Sequence, residues 1–360
     1  MNRQILLILN CLLMYNIAFL QTPTFHNDPH WKATWSDDFN TFDNTKWVKA
    51  DYCDHGGAPH LHLKENVWVA NGCLVIRTDN NKVNCPSPAP VPTAWSCGSC
   101  KQGIHNYTSG YVESRHTYNT RFGYIEGRFK LPYMSKPNPN PTTGYGYGLW
   151  PSFWTFIGDG VSGASNVAEI DIFEMLGKLP SNTITTNTHR FYSNDVDHYQ
   201  ETVLTNFTYT DWHTYSIEWD ANKIIWYVDG KIIRTLTNHN IIDPIRIILG
   251  NGIDKDHLPP TSPSFTEYMY VDYIKVYQLK CDKYTVVNEI SNFNTYNYAV
   301  KKSITLSGAT TIPKNSNIFL RATDFIELKP GFEVPLNAEL YLDINPCDNT
   351  SVVTPGGMYD

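Results

Sequence analysis

The sequence predicts an all-β protein, a β-sandwich followed by a second and smaller all-β module. Strand-like runs are separated by turn signals at short intervals, and no long run carries the period of a helix. The chain is rich in aromatic residues, with 23 Tyr, 16 Phe and 10 Trp, and it contains 22 Gly and 22 Pro. Many turns combined with many β-favouring side chains are typical of sandwiches and barrels.

The strands of the first module are located by alternation and by turn residues. Asn71-Gly72 and Asp229-Gly230 each stand between two apolar runs, which is a strong hairpin signal. Further along, the run IRIILGNGI at 245–253 is predicted to be another strand.

The N-terminus has the pattern of a secretory signal. A short start containing Arg3 is followed by an apolar run, 5–14, that is too short to span a bilayer, and we expect cleavage near residue 20. The mature chain is therefore expected to be exported and soluble, either secreted or located in the periplasm or at the cell surface.

The cysteines predict disulfides rather than a metal site. Of eight cysteines, Cys11 lies in the signal, and the odd remainder leaves at least one thiol unpaired or paired between molecules. Cys97 and Cys100 form one CxxC in a Pro-rich insert, 84–107, and His60 and His62 lie nearby in sequence. A single CxxC without a second ligand pair fits no zinc pattern, so disulfides that hold the insert are favoured over zinc.

Three carboxyl residues, Glu169, Asp171 and Glu174, fall within six positions of the otherwise apolar, strand-like run EIDIFE. Side chains alternate along a strand, so Glu169 and Asp171 share one face and Glu174 would take the other. A β-bulge near Ile172-Phe173, with Phe173 as the extra residue, would turn Glu174 to the same face. The alternative is a solvated acidic face on an edge strand.

Three carboxyl groups this close cannot all ionise freely, so we expect their pKa values to be driven apart. Hydrolysis of a glycoside with retention needs such a difference. One carboxylate acts as nucleophile and one carboxylic acid donates a proton, at a separation of roughly 5–5.5 Å. The motif therefore predicts a site for glycoside hydrolysis.

Over about 35–278 the sequence also resembles glycoside hydrolase family 16. The resemblance is carried by segments in family order, which are WSDDF, FGYIEGRFKLP, GLWPSFW, EIDIFE, DWHTYSIEW with WYVDGK, and YVDYIKVYQ. It implies a curved, antiparallel jelly-roll sandwich with an open cleft on its concave face, and retaining hydrolysis of β-linked glucans or galactans. The expected parts are a signal at 1–20, a catalytic sandwich at 21–280 and a small module at 281–360.

Position by position, the resemblance implies that Glu169 is the nucleophile and Glu174 the general acid/base. Asp171, between them, would orient the nucleophile and tune its charge. Acid–base chemistry near neutral pH asks for the same division, because one carboxylate must stay ionised while another holds a proton.

Four further residues are candidates for binding. Trp150 and Trp154 share a strand face, and a flat indole can bury the apolar side of a sugar ring, although core packing is the alternative. His189 could hydrogen-bond substrate or a catalytic carboxylate, unless it is structural. Asp272 matches a position that binds a structural calcium in some relatives, although a hard cation wants six or more oxygens and one Asp could simply make a buried hydrogen bond. We expect no cofactor to be required.

After Cys281 the aromatic content falls and short strands repeat with small turns. This stretch has no clustered acids and no histidine, so we do not expect catalysis there. It would act as a spacer or cap, or else attach the protein to a surface or glycan. It loosely resembles a repeat-strand module appended to exported proteins of Bacteroidetes-type bacteria.

The bulged motif resembles the subgroup that includes β-1,3-glucanases, agarases and carrageenases. Our leading hypothesis is an endo-acting retaining hydrolase of β-1,3-glucan, working by double displacement. The alternatives are an endo-β-galactanase of the agarase or carrageenase type and a non-catalytic glycan-binding protein. A sulfated galactan would need basic residues at the cleft, for which the candidates are Arg115, Arg121, Arg128 and Arg190.

The net charge of the chain limits the classes of molecule that it is expected to bind. The net charge is −7 and no Lys/Arg cluster stands out, which argues against nucleic acid and anionic membrane surfaces. We expect a polysaccharide substrate and a monomeric protein.

Overall fold

The structure is a computed structural model of the 360-residue chain. It describes residues 30–54, 58–90, 98–114, 117–132, 148–157, 167–177, 179, 182–191, 196–205, 209–259, 261, 264–345 and 347. The predicted signal at 1–20 lies outside these residues. Across the described ranges there is no α-helix, and a 3₁₀ helix spans Lys64–Asn66. No helix in this part of the chain is long and apolar enough to cross a membrane.

Strands occur along the whole length of the described chain. In chain order they are β1 (Trp31–Asp37), β2 (Val48–Lys49), β3 (Cys53–Asp54), β4 (His60–His62), β5 (Val67–Ala70), β6 (Cys73–Asp79), β7 (Val83–Cys85), β8 (Gly98–Ser99), β9 (Gly103–His105), β10 (Tyr107–Ser109), β11 (Tyr111–Glu113), β12 (Gly123–Lys130), β13 (Leu149–Ile157), β14 (Val167–Glu174), β15 (Thr183–Phe191), β16 (Val196–His198), β17 (Glu201–Leu204), β18 (His213–Trp219), β19 (Lys223–Val228), β20 (Lys231–Thr237), β21 (Ile245–Ile253), β22 (Thr266–Leu279), β23 (Cys281–Val287), β24 (Val300–Leu306), β25 (Asn317–Leu328) and β26 (Glu339–Ile344).

Two large sheets make up the first module. In the described chain one has twelve strands, in the order β20-β19-β18-β12-β22-β6-β10-β4-β3-β8, with β1 added beside β22 and β5 beside β6. The other has eight, in the order β16-β15-β14-β13-β21-β11-β2, with β17 beside β15. Nearly all pairs are antiparallel, β4 with β10 being parallel. The predicted sandwich is confirmed.

Both predicted hairpin turns are present. Asn71 and Gly72 have φ of 53° and 70° between β5 and β6, and Asp229 and Gly230 have φ of 48° and 73° between β19 and β20. Positive φ at both central residues marks the turn whose twist matches that of the flanking strands.

A continuous apolar core joins the facing sides of the two sheets. Phe129 of the larger sheet packs on Phe153 and Phe173 of the smaller one, with ring centroids 4.9 and 5.1 Å apart. All three rings are fully buried. Truncating one to Ala would cost about 3–5 kcal/mol, because the cavity cannot close completely.

The C-terminal module is all-β, as predicted, but its strands run in parallel. Strands β23, β24, β25 and β26 pair in chain order, and each pair is parallel. Its own core contains Ile304, Leu306, Ile318 and Leu320. Because parallel neighbours begin at the same end, the chain must return across the module between one strand and the next.

The module packs directly onto the sandwich. Arg321 on β25 forms an ion pair with Glu218 on β18, at 2.9 Å, and both side chains are buried. Lys223 on β19 pairs with Asp343 on β26 at 2.8 Å. The module is therefore held by buried charge as well as by its covalent link.

The cysteines form disulfides as predicted. Cys85 is bonded to Cys100 within the Pro-rich insert, and Cys281 is bonded to Cys347 across the module. Cys73 is a free thiol, which agrees with the odd count. Cys97, the other member of the CxxC, lies outside the described residues.

Candidate active site

The acidic strand β14 contains the predicted bulge. On one side Asp171 pairs with Asn187 and Glu174 with Thr185, so three steps along β14 match two along β15. On the other side Phe173 pairs with Phe153, and Asp171 pairs with the next residue of β13.

This pairing corrects the identity of the extra residue. Phe173 has a partner on β13, whereas Ile172 is passed over, so Ile172 rather than Phe173 is the additional residue. Both side chains are buried in the core between the sheets. Two consecutive apolar side chains thus take the interior, after which Glu174 resumes the opposite face.

The bulge brings Glu169, Asp171 and Glu174 to the wall of one cleft of about 580 Å³. Asp171 is buried, at 2% exposure, while the two glutamates stay partly open to the cleft. Strand β14 lies between β13 and β15, so it is an interior strand of its sheet. The alternative of an acidic edge strand is therefore excluded.

The site raises the pKa of all three carboxyl groups. Burial, followed by the charges of Asp171 and Glu174, raises the pKa of Glu169 well above its usual range. Burial, followed by the charge of Asp171, does the same to the pKa of Glu174. Burial also raises the pKa of Asp171, and the neighbouring His189 partly offsets this.

The three carboxyl groups have different neighbours. Glu169 and Asp171 both lie within reach of Nε2 of His189, at 3.7 and 3.4 Å. Glu174 instead accepts a hydrogen bond from the indole Nε1 of Trp150, at 2.9 Å. The site can hold ionised and protonated carboxyl groups side by side, which is the requirement for combined nucleophilic and acid catalysis.

Trp150 and Trp154 both line the cleft. Side chains of β13 alternate strictly between buried and half-buried, and both indoles lie on the half-buried face. Trp154 also packs edge-on against the buried ring of Tyr111, with centroids 6.4 Å apart. Trp154 therefore has a packed side and a side that faces the cleft.

His189 lies beside the first two acids rather than beside Glu174. Its Nε2 is 3.4 Å from Oδ2 of Asp171 and 3.7 Å from Oε1 of Glu169. The same nitrogen lies 2.9 Å from Nδ2 of Asn187. The ring stacks on Phe191, with planes 13° apart, which limits its rotation.

Asp272 lies away from the cleft, on β22 of the other sheet. Its Oδ2 is 2.6 Å from Nη1 of Arg128, so the carboxylate is already neutralised by a cation. Calcium prefers six to eight oxygen ligands, and among the described residues Asp272 belongs to no cluster of three potential ligands. These residues do not fit a calcium ion, and we assign none to Asp272.

Sequence reasoning considered His60 and His62 only as possible metal ligands and missed their place in the cleft wall. His60 and His62 on β4 are both buried, and their Nε2 atoms are 3.3 Å apart. The backbone N–H of Ile253 donates to Nδ1 of His60, which assigns the ring proton to Nε2 and directs it at His62. Their spacing of two in a strand was the available signal, although only the fold shows that this strand borders the cleft.

The loop after β21 also contributes to the cleft. Asp254, Lys255 and Asp256 line it, and Asp254 pairs with His257 at 2.9 Å. Of the basic residues considered for sulfate contacts, Arg128 is paired with Asp272, and Arg190 donates to the backbone carbonyls of His239 and Asn240. None of the described candidates lines the cleft, and Arg115 lies outside the described residues.

Comparison with known proteins agrees with this geometry. The chain is 26% identical over 296 residues to glucan endo-1,3-beta-glucosidase A1 of Niallia circulans, and the match covers 71% of this chain and 39% of that protein. It is 28% identical over 263 residues to endo-1,3-1,4-beta-glycanase EglC of Rhizobium meliloti (strain 1021), covering 69% of this chain and 52% of that protein. The chain thus spans about half or less of the length of these two relatives.

Among solved structures, the catalytic domain of an endo-1,3-beta-glucanase (laminarinase) from Thermotoga petrophila RKU-1 is similar, with a TM-score of 0.55 and 26% identity. That match covers 69% of this chain and 98% of the other. The family model of the glycosyl hydrolases family 16 matches residues 63–248, just over half of the chain. With three carboxyl groups aligned by a bulge in the matched region, the chain belongs to glycosyl hydrolase family 16.

Proposed function

We propose that this chain is an endo-acting, retaining glycosidase that cleaves β-1,3-glucan by double displacement and needs no cofactor. The observation that carries the proposal is the alignment of Glu169, Asp171 and Glu174 on one cleft wall by the bulge at Ile172. A binding protein has no need of buried carboxyl groups with raised pKa values, since these cost stability at neutral pH.

In the first step Glu169 attacks the anomeric carbon and the glycosidic C–O bond breaks. The proton of Glu174 goes to the leaving oxygen, which departs as a hydroxyl, and a glycosyl ester forms on Glu169. In the second step Glu174, now ionised, takes a proton from water. The resulting hydroxide attacks the anomeric carbon and releases Glu169 as a carboxylate, so the configuration is retained.

Side chains around Glu169 and Glu174 support these two reaction steps. Asp171 lies beside Glu169 on the cleft wall, where its charge acts on the nucleophile. His189, 3.4 Å from Asp171, favours the ionised form of that aspartate. Trp150 donates to Glu174 and so eases its ionisation when the proton leaves. Trp154 offers an indole face on which a sugar ring can stack.

The charge of the cleft supports a neutral polymer. Its described lining includes one lysine against five acids, which are Glu169, Asp171, Glu174, Asp254 and Asp256. Sulfated galactans such as carrageenan would meet repulsion at such a surface. The relatives named as 1,3-β-glucanases support β-1,3-glucan as the neutral polymer, with unsulfated agarose as the competing substrate.

The test is to incubate the chain from residue 21 onward with laminarin, lichenan, agarose and κ-carrageenan and to measure new reducing ends. We expect laminarin to be cleaved fastest, with a rapid fall in viscosity or chain length, and carrageenan to be untouched. Proton NMR of the first product should show the β-anomer. If agarose is cleaved fastest, the substrate is agarose and not β-1,3-glucan. If the first product is the α-anomer, the mechanism inverts the configuration and does not retain it. If no polymer is cleaved, the proposal is overturned.

Two variants separate catalysis from binding. Glu169→Gln and Glu174→Gln should each reduce turnover by at least about 10²–10⁴-fold while the oligosaccharide still binds. Glu65→Gln, at an exposed position of the 3₁₀ helix and outside the cleft lining, is the control and should keep normal turnover. Normal turnover in either test variant would refute the assignment.

Export and a monomeric state complete the proposal. The signal-like start at 1–20 supports export, to the medium, the periplasm or the cell surface. Sequencing the N-terminus of protein recovered from the medium or the periplasm should show that cleavage has occurred near residue 20. Sedimentation of the purified chain should give the mass of one chain, and a dimer mass would contradict this part.

A further inference from the structure

A tryptophan from the opposite sheet contacts the acidic strand at its bulge. Trp226 lies on β19 of the twelve-stranded sheet and is fully buried. Its indole Nε1 donates a hydrogen bond to the backbone carbonyl of Asp171, at 2.8 Å. The contact crosses the interior of the sandwich, and Trp226 is not among the described residues that line the cleft.

The carbonyl that it meets belongs to the peptide at which the bulge begins. Asp171 is the last residue of β14 in regular register with β15, and the next residue, Ile172, is the extra one. The orientation of this peptide decides how the strand leaves its ladder, and therefore where Glu174 returns to the cleft face. A fixed donor at this carbonyl favours one orientation over others.

A second residue holds the tryptophan in place. Arg234 on β20 lies opposite Trp226 in the strand pair, and its guanidinium carbon is 4.7 Å from the indole centroid. The same guanidinium donates from Nη1 to the backbone oxygen and to Oγ1 of Thr186, at 3.0 and 2.9 Å. Thr186 precedes Asn187, the β15 partner of Asp171. Trp226 and Arg234 thus connect the opposite sheet to the acidic strand and to its neighbour.

We propose that Trp226, held by Arg234, is a positioning residue for catalysis: its indole N–H fixes the bulge and so sets the spacing of Glu174 from Glu169. The inference rests on the proposed glycosidase function and extends it to a residue that does not touch the substrate. Because retention depends on the separation of the two carboxyl groups, a small displacement of the bulge should slow the chemical step more than it weakens binding.

The test variant is Trp226→Phe, which keeps a ring in the core and removes the donor. Trp219→Phe is the matched control, because Trp219 is equally buried, lies on the adjacent strand β18 and donates through Nε1 to the carbonyl of Ile241 at 2.9 Å. Trp226→His restores an N–H near the original position with a smaller ring and serves as the rescue variant. Each is measured as kcat, KM and the pH dependence of kcat, normalised to the folded fraction from circular dichroism.

For Trp226→Phe we expect kcat to fall at least about tenfold, with KM within about twofold of the parent and a displaced pH profile. Trp219→Phe should keep kcat within about twofold and leave the profile in place, whatever stability it loses. Trp226→His should recover part of the lost kcat. The inference is overturned if Trp226→Phe keeps the parental kcat and profile, or if both Phe variants lower kcat equally.

A failure of the proposed glycosidase function would give a different result from a failure of the positioning role. In that case the parent chain itself releases no reducing ends from any polymer, and no variant comparison arises. If Trp226→Phe does not accumulate as a folded protein, Trp226→His still decides the matter. A folded Trp226→His variant that keeps the parental pH profile supports the donor role. A folded Trp226→His variant that has the same pH profile and the same kcat as a folded Arg234→Lys variant that has lost activity contradicts the donor role.

Discussion

The indole Nε1 of Trp150 lies 2.9 Å from Oε1 of Glu174, so a side chain expected to stack on sugar or to pack in the core also donates to the proposed acid/base. This hydrogen bond stabilises the ionised carboxylate and lowers the pKa of Glu174, against the larger rise caused by burial. The pKa of the proposed proton donor, Glu174, is thus lowered by a side chain of the neighbouring strand β13.

We predict that Trp150→Phe raises the pKa of Glu174 further and moves the alkaline limb of kcat to higher pH. Turnover should fall by about tenfold or more, since a hydrogen bond to a charged group contributes about 1.5–3 kcal/mol. The pH dependence of kcat is the measurement. Trp154→Phe removes an indole from the same strand face and should weaken binding while leaving the alkaline limb in place; an equal displacement in both variants would contradict the prediction.

Glu174→Gln should stabilise the protein at neutral pH. Because the folded state raises the pKa of Glu174, the folded protein keeps this proton while the unfolded chain loses it, so parental stability falls as pH rises from about 4.5 through the folded pKa. The variant has no such proton. Its melting temperature should match the parent near pH 4 and exceed it at pH 7, by about 2–4 °C for each kcal/mol.

Glu289→Gln is the opposite case and serves as the control. Hydrogen bonds from Ser307 and then Thr310 lower the pKa of Glu289, so its contribution is present above the unfolded pKa and is lost as pH falls. This variant should be less stable than the parent at pH 7 and converge with it in acid. Parallel trends in the two variants would contradict both pKa directions.

Arg321→Met should destabilise the whole chain. It leaves the buried carboxylate of Glu218 without its cation, which costs about 3–5 kcal/mol. Lys329→Met breaks an exposed pair with Glu327, 3.9 Å long, and should cost at most about 1 kcal/mol. Calorimetry gives both values, and we expect the parent to unfold in one transition. An Arg321→Met chain as stable as Lys329→Met would show that the module contact is weak.

Removing the disulfides should lower stability according to the loop that each one closes. For Cys85–Cys100, which closes 15 residues, the loss is about 3 kcal/mol, and for Cys281–Cys347, which closes 66, it is about 4 kcal/mol. Paired Cys→Ser variants, unfolded in urea, measure these losses. Cys73→Ser removes a free thiol and should change stability by less than about 0.5 kcal/mol.

Much of the site follows from local rules. The period-two alternation of a strand, plus one extra residue, was enough to place Glu169, Asp171 and Glu174 on one wall. The apolar run 245–253 coincides with a single strand, because its side chains are buried on both faces. Such features depend on neighbours within a few positions along the chain.

Other features depend on contacts between distant segments. The sequence-based choice of Phe173 as the extra residue was wrong, because Ile172 is equally apolar, both side chains enter the core, and only the pairing with β13 separates them. The cleft position of His60 depends on the pairing of β4 with β10, and the bond from Trp226 depends on how the two sheets face each other. The parallel order of the last four strands likewise needs knowledge of how the chain returns between them.

The packing of the module on the sandwich has a consequence for how the two parts of this chain can be separated. Cutting after residue 280 to isolate the sandwich would expose Glu218 to water, where its carboxylate is well solvated. It would also expose the apolar side chains of Trp31, Tyr124 and Tyr277, which pack in one cluster with Val300 of the module. The shortened chain should therefore self-associate through this apolar patch unless polar side chains are introduced there.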